Sequence, residues 1–345
     1  MASLPPLEAV ARLAGGTPRS LTPIGGGRNS QVFRLEAADG QTFALKAYFQ
    51  HPADPRDRLG AEFNALTFLR QQGLACVPRP LAMDAASALG LYEFIPGERV
   101  SGPSDQEVDA TWAFLVDLRA LGSLAEAECF PEASEARFSF QAVAENIQVR
   151  LERLLAVDPN LSRDSGLAAF LEADLVPAWR GILAGGLEGC RRWSIPFEDE
   201  LARAKRTLSP SDFGFHNALR TNQGLVFLDF EYFGWDDPAK MLSDFLLHPG
   251  MELTLGQRQR FAAGILDRFL LEELARRTRL AFPFFGIKWC IILLNEFLPG
   301  SLDRRTFADL RDRGTSERQA CQLTKARSKL KQLLDDHADF PYFSL

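Results

Sequence analysis

The chain has 345 residues, enough for two compact units, and its 46% hydrophobic and 24% charged composition excludes global disorder. Its 39 basic and 45 acidic residues leave a formal net charge of −6. A surface built to grip duplex nucleic acid carries a basic excess, so nucleic acid is not an expected partner.

In chain order, residues 1–16 place two prolines and Glu8 where an export signal needs positive charge followed by an apolar run. A short helix is predicted over 7–13 and a strand over 19–24, running into Gly25-Gly26-Gly27. Strands over 31–37 and 41–48 flank Ala38-Asp39-Gly40, a tight-turn sequence. Residues 54–72 read as a helix, with Leu59, Phe63, Leu66 and Leu69 at helical spacing. Strands over 79–85 and 89–95 follow, and Pro96-Gly97 stops the second. Helices then dominate, over 104–121, 139–156, 166–184, 198–207, 238–247, 255–279, 284–298 and 316–337. One strand pair, 217–221 and 225–229, interrupts them. The apolar stretch 280–298 is broken by Lys288 and Glu296, which marks a buried helix and not a membrane span. Cys76, Cys129, Cys190, Cys290 and Cys321 are dispersed and form no C-x-x-C pair, as in a cytoplasmic protein with reduced thiols. The expected fold class is α+β, with a small β-rich lobe over 1–95 and a larger, mainly helical lobe over 96–345.

The richest chemistry lies between Pro210 and Glu231. Asn222-Gln223-Gly224 separates two apolar runs, so a hairpin is predicted. A three-residue loop sets Asn217 opposite Asp229, and a two-residue loop shifts the register by one while keeping them neighbours. Asp212 enters the hairpin five residues before Asn217. Two carboxylates and an amide at one end of a hairpin make an oxygen-rich site of the kind magnesium prefers. Taken singly, either aspartate also reads as a turn cap.

In the first lobe, Lys46 interrupts the β-rich run Phe-Ala-Leu-Lys-Ala-Tyr, where a lysine is unusual unless its charge is used. Glu62 borders the apolar stripe of its helix, and a carboxylate held there needs a cation to offset its desolvation. Lys46 is the candidate cation, and the pair would fix the ammonium for phosphate contact. Gly25-Gly26-Gly27-Arg28-Asn29-Ser30 joins two strands and could offer backbone N–H groups to phosphates. The chain has no G-K-[ST] sequence, so a P-loop is excluded.

Together and in this order, these residues resemble the aminoglycoside phosphotransferase and choline kinase superfamily of small-molecule kinases, which are similar to protein kinases in fold. The resemblance implies a bilobal kinase-like fold whose smaller lobe carries an antiparallel sheet. It is most specific over 210–244, where Pro210-Ser211-Asp212-Phe-Gly-Phe-His-Asn217 matches a family motif of the form His-Gly-Asp-x-x-x-x-Asn. By that match Asp212 corresponds to the catalytic base, Asn217 to a magnesium ligand and Asp229 to the metal-binding aspartate, with Glu231 a further metal contact. Lys46 and Glu62 match the phosphate-clamping pair. Gly26, Gly27, Asn29 and Ser30 fall in the nucleotide loop, and Glu93 to Ile95 match the hinge that holds adenine. Asp244 matches a bracing aspartate.

Asp229-Phe-Glu-Tyr-Phe-Gly is similar to the pattern of choline and ethanolamine kinases, and Trp289 to the late tryptophan that lines their ammonium pocket. The motif departs from the family at Pro210 and Ser211, which replace histidine and glycine. His216 is not assigned to the missing histidine and reads as an ordinary histidine.

The resemblance implies ATP and magnesium as cofactors and a small hydroxyl compound, such as an amino alcohol or sugar, as acceptor. Two other readings stand beside it: a nucleotide-binding pseudokinase or scaffold, and a kinase-fold transferase acting on protein side chains. A third, a basic-helix binding module built on Arg318, Lys325, Arg327, Lys329 and Lys331, is weaker, because that charge set reads first as the solvated face of the last helix.

Overall fold

The computed structural model describes residues 4–26, 29–51, 54, 56–298 and 315–345. They form two compact units, each discontinuous in sequence. Among the described residues, the first holds the chain up to Ser101 together with Pro210–Gly234, and the second holds Gly102–Ser209 with residues 235–298 and 315–345.

The first unit is built on an antiparallel sheet of β1 (Ser20–Gly26), β2 (Ser30–Glu36), β3 (Thr42–Tyr48), β4 (Pro80–Asp84) and β5 (Leu89–Glu93), in the order β1-β2-β3-β5-β4. Gly40, at φ +86°, makes the tight connection between β2 and β3, where Gln41 N–H donates to Asp39 Oδ1. The strand period of two sorts the side chains. Phe33, Leu35, Leu45, Ala47, Leu89 and Leu91 share a core with Ala9 and Val10 of helix α1 (Leu7–Leu13). Each fully buried Leu there contributes roughly 1.5–3 kcal/mol. The alternate positions of β3 and β5 include Lys46, Tyr48, Gly90 and Tyr92, and Lys46 pairs with Gly90.

Helix α2 (Arg58–Gln71) starts later than the predicted residue 54. Asp54 instead pairs with Arg56 and Arg58 in a non-helical lead-in, and Asp57 caps the helix by accepting from Gly60 N–H at 2.8 Å. The buried face of α2 carries Leu59, Glu62, Leu66 and Leu69.

The returning segment adds the hairpin Ala218–Thr221 with Gly224–Phe227, against which β6 (Glu98–Arg99) pairs. Thr221 faces Gly224, so the turn is the two residues Asn222-Gln223, helped by Gly224 at φ +112°. Phe227 N–H also donates to Cys76 O at 2.8 Å, joining the hairpin to the N-terminal part of the unit.

The second unit is mainly helical. Ser104 and Glu107 form a capping box on α3 (Asp105–Leu121), and Ser139 caps α4 (Phe140–Leu155). The helix predicted over 166–184 runs on to Trp193 and contains a π turn at Leu171–Leu175. Pro177 lies just beyond that turn; it lacks an N–H, and a widened turn relieves its clash with the preceding carbonyls.

Three predicted helices are corrected. Residues 198–207 hold a single 3₁₀ turn, Arg203–Lys205, followed by the strand Thr207–Ser209. Here side chains take the carbonyls that a helix would use: Arg119 donates to the carbonyls of Ala204 and Arg206, and Arg206 Nε donates to Leu201 O. Arg203 stacks on Trp235 and Arg206 on Phe138. The helix predicted over 255–279 is two helices, Leu255–Phe269 and Leu274–Leu293, parted at Leu270 with φ +50°. The second absorbs the helix predicted over 284–298, passes through Pro283 and ends in a 3₁₀ turn. It is long and apolar enough to cross a membrane, but 83% of its most apolar window is buried inside the protein. Lys288 and Glu296 are buried with it.

Candidate functional site

Lys46 sits at the centre of a buried cluster in the first unit. Its position on β3 opposite Gly90 directs it away from the apolar core, and Glu62 on α2 meets it with Nζ 2.6 Å from Oε2. Asp229, just after the hairpin, meets the same ammonium with Oδ1 at 2.6 Å. Lys46 and Glu62 side chains are 9% and 6% exposed, whereas Asp229 is 28% exposed. Burial opposes the charge on Lys46, yet Asp229 and Glu62 hold its pKa well above the ordinary lysine value. Burial raises the Glu62 pKa, and the neighbouring Lys46 charge works against that rise.

Two tyrosines complete the cluster, and nothing in the sequence pattern marked them. Tyr48 OH donates to Glu62 Oε2 at 2.7 Å, and Tyr48 OH lies 2.7 Å from Tyr92 OH.

The segment before the hairpin is tightly folded. Asp212 N–H reaches back to Pro210 O at 2.9 Å, a three-residue turn with Ser211 at φ +67°. Phe213 and Phe227 rings, 5.1 Å apart, anchor the loop on the hairpin. Asn217 Nδ2 donates to Asp212 O at 2.9 Å, so its Oδ1 is the amide atom with lone pairs to offer a cation. His216 Nε2 lies 3.1 Å from Asp212 Oδ1, so this histidine is a direct neighbour of the predicted base. With a two-residue turn, Asn217 faces Leu228, whose N–H donates to Asn217 O at 2.8 Å. Asp229 follows one residue later at φ +67°. Two non-glycine residues in the left-handed region thus flank the hairpin; such strain is costly and concentrates at functional sites.

Glu231 is 4% exposed. Its Oε1 accepts from Asn29 Nδ2 at 2.8 Å, and the same amide also donates to Tyr232 OH. Asn29 is therefore committed to the hairpin segment. Burial, reinforced by the charge of Asp229, pushes the Glu231 carboxyl up to about 7. Glu231 Oε2 is buried and makes no hydrogen bond among the described residues, and the buried Nε of Arg58, 3.9 Å from Oε1, makes none either. A buried carboxylate oxygen without a donor, beside a second carboxylate, fits a hard divalent cation, which would satisfy both.

The other predicted positions are more ordinary. Ser30 is buried at the start of β2, and Gly26 pairs with Gln31 at the end of β1. Gly27 lies outside the described residues. Glu93 N–H donates to Arg79 O, and Glu93 Oε2 accepts from Arg79 N–H and Nε. Ile95 is half-buried beyond the end of β5. Trp289 belongs to the second unit: its indole N–H donates to Asp244 Oδ1 at 2.9 Å, and its ring meets the His248 ring edge-on at 4.7 Å. Lys240 there bridges Asp236 and Asp244.

The sequence profile of APH, the phosphotransferase enzyme family, matches residues 20–280. Solved structures with a similar fold include the gentamicin–APH(2″)-IIa complex, 17% identical with a TM-score of 0.58, covering 96% of this chain and 97% of that one. A choline/ethanolamine kinase family protein from Mesorhizobium loti is 17% identical with a TM-score of 0.55, covering 96% and 95% of the two chains. Amicoumacin kinase hAmiN, solved with AMP-PNP and Ca2+, is 15% identical with a TM-score of 0.54, covering 90% and 88%. No curated protein matches the chain significantly.

Proposed function

Because the chain belongs to the phosphotransferase enzyme family, we propose that it moves the γ-phosphate of ATP to a hydroxyl of a small molecule, an amino alcohol or a sugar. The observation that supports this reading is the buried Lys46 ammonium held between Glu62 and Asp229. A cation locked there offers a fixed contact to nucleotide phosphates. Phosphoryl transfer depends almost wholly on such positioning and charge neutralisation.

Asp212 orients the acceptor hydroxyl and takes its proton, with His216 holding the carboxylate. Asp229, Asn217 and Glu231 are the residues that would hold magnesium, which when bound supplies positive charge beside the phosphate oxygens. Glu93 N–H is occupied by Arg79, so the adenine donor at the hinge falls to Ile95. An acceptor ammonium would call for an aromatic face, the role that the family resemblance gives to Trp289.

The test is magnesium-dependent ADP release from ATP against separate pools of amino alcohols, sugars, nucleosides and aminoglycosides, with Asp212→Asn in parallel. A pool-dependent signal lost in the variant establishes the kinase and its acceptor class. Nucleotide binding with no transfer in any pool would replace this reading with a pseudokinase or a protein-directed transferase.

A further inference from the structure

Among the described residues, Glu62 is the carboxylate partner of Lys46 that the proposed chemistry leaves in place, since the same reading gives Asp229 to a metal ion. What holds Glu62 therefore decides where the ammonium stands. Tyr48 has a single hydroxyl hydrogen and spends it on Glu62 Oε2 at 2.7 Å, so the 2.7 Å contact between the two hydroxyls must be Tyr92 donating to Tyr48. The result is an ordered chain, Tyr92 to Tyr48 to Glu62, meeting Lys46 from the other side at 2.6 Å. Tyr48, Tyr92 and Glu62 are all buried.

The strand register explains why the chain can form. Lys46 and Tyr48 lie two apart on β3, and Gly90 and Tyr92 two apart on β5, all on the same sheet face because Lys46 pairs with Gly90. A methyl group at residue 90 would stand 2.5 Å from the Tyr92 hydroxyl. The bare backbone at Gly90 is what allows the Tyr92 ring to lie across β5 and reach Tyr48.

We propose that Tyr48, supported by Tyr92 over Gly90, is a positioning residue that fixes Lys46 for nucleotide phosphate by anchoring Glu62 to the sheet. The inference rests on the nucleotide-dependent reading above and deepens it. The Tyr48 hydroxyl is placed to act through Glu62, and the Tyr48 ring lies against the ammonium itself, its centroid 5.0 Å from Lys46 Nζ. It also ties α2 to β3 by a hydroxyl, which makes the Lys46–Glu62 pair a fixed part of the unit and not a contact that α2 can release.

The experiment measures binding of magnesium AMP-PNP by calorimetry, with thermal melting, for wild type, Tyr48→Phe, Tyr92→Phe, Gly90→Ala, Glu62→Gln and the double variant Tyr48→Phe/Glu62→Gln. Tyr48→Phe should weaken nucleotide binding roughly 5- to 30-fold, less than the full worth of a hydrogen bond to a charged group because Tyr48 acts on the nucleotide only indirectly. Tyr92→Phe and Gly90→Ala should follow in the same direction. In the Glu62→Gln background, Tyr48→Phe should change affinity by no more than about twofold, because the two residues act as one unit. In turnover, KM for ATP should rise while KM for the acceptor holds.

Unchanged nucleotide affinity in Tyr48→Phe, with or without a lower melting temperature, overturns the proposal and leaves the kinase reading standing. So does full additivity in the double variant. If Tyr48→Phe fails to fold, Tyr92→Phe decides in the same terms. Wild-type protein that binds no nucleotide overturns the kinase reading, and this inference falls with it.

Discussion

Lys46 and Asp229 stand 183 residues apart in the chain and 2.6 Å apart in space. Asp229 is the more exposed of the two carboxylates on this ammonium and the one displaced least expensively. Asp229→Asn keeps a residue type that tolerates the left-handed backbone at φ +67° while removing its charge. We expect loss of magnesium-dependent turnover by more than about 100-fold. Removing one partner of a buried pair costs up to ~3–5 kcal/mol, and with Glu62 remaining the loss of stability should be about 1–3 kcal/mol. Calorimetric magnesium titration and chemical unfolding check the two halves separately.

Asp212 and His216 separate positioning from proton transfer. Asp212→Asn should lower turnover by ~10²–10⁴-fold, the usual worth of a general base, with nucleotide affinity retained. His216→Ala removes a single partner of Asp212, 3.1 Å away, and should cost less, about 5- to 20-fold in kcat with little change in KM for ATP. Equal losses in the two variants would show that His216 does more than hold the carboxylate.

Ser211 occupies a left-handed backbone conformation that suits glycine. Left-handed geometry costs a non-glycine residue about 1–2 kcal/mol, and part of that is returned by the lower unfolded-state entropy of serine. Ser211→Gly should therefore be neutral or stabilising by up to ~1 kcal/mol. Ser211→Val, β-branched at φ +67°, should destabilise by about 1–3 kcal/mol. Denaturant midpoints at constant m-value decide; a less stable glycine variant would show that the serine hydroxyl matters more than the strain.

Lys329 makes the stability pH-dependent. Contrary to the solvated face expected for it in the last helix, it is buried, donates to Leu247 O at the end of the helix Pro238–Leu247, and burial with the Arg258 charge lowers its pKa to about 8. Below that pH both folded and unfolded chains carry the proton, and the folded state bears the cost of a buried charge. As pH rises towards the ordinary lysine value, the unfolded chain binds the extra proton, so stability rises. The unfolding free energy of wild type should climb relative to Lys329→Met between pH 8 and about 10.5, by at most ~3 kcal/mol. A flat difference across that window would place the ammonium in water.

The parts legible from sequence were those that broke a periodic pattern. Lys46 stands out in a β-rich run and Glu62 on an apolar stripe, and only a shared charge explains both. The hairpin was legible from Asn222-Gln223-Gly224, though its loop length was not, because the choice between two and three residues rests on backbone angles. Tyr48 and Tyr92 were invisible, since tyrosine suits any strand and only the register across β3 and β5 brings their hydroxyls together. Leu270 hid a helix break because no glycine or proline marks it. The segment 198–207 has helical composition, but the distant Arg119 and the segment's own Arg206 claim its carbonyls.

The division of the first unit, with residues 210–234 returning to a sheet made at the N-terminus, also sets an order of events on the ribosome. Lys46 emerges long before Asp229, and Asn29 emerges 202 residues before Glu231, its partner. For that interval the sheet can form, but its lysine has one carboxylate and its loop has nothing to close upon. The unit is finished only after the first long helical segment of the other unit has been synthesised, so a truncated chain ending at Ser101 carries a sheet with an incomplete centre.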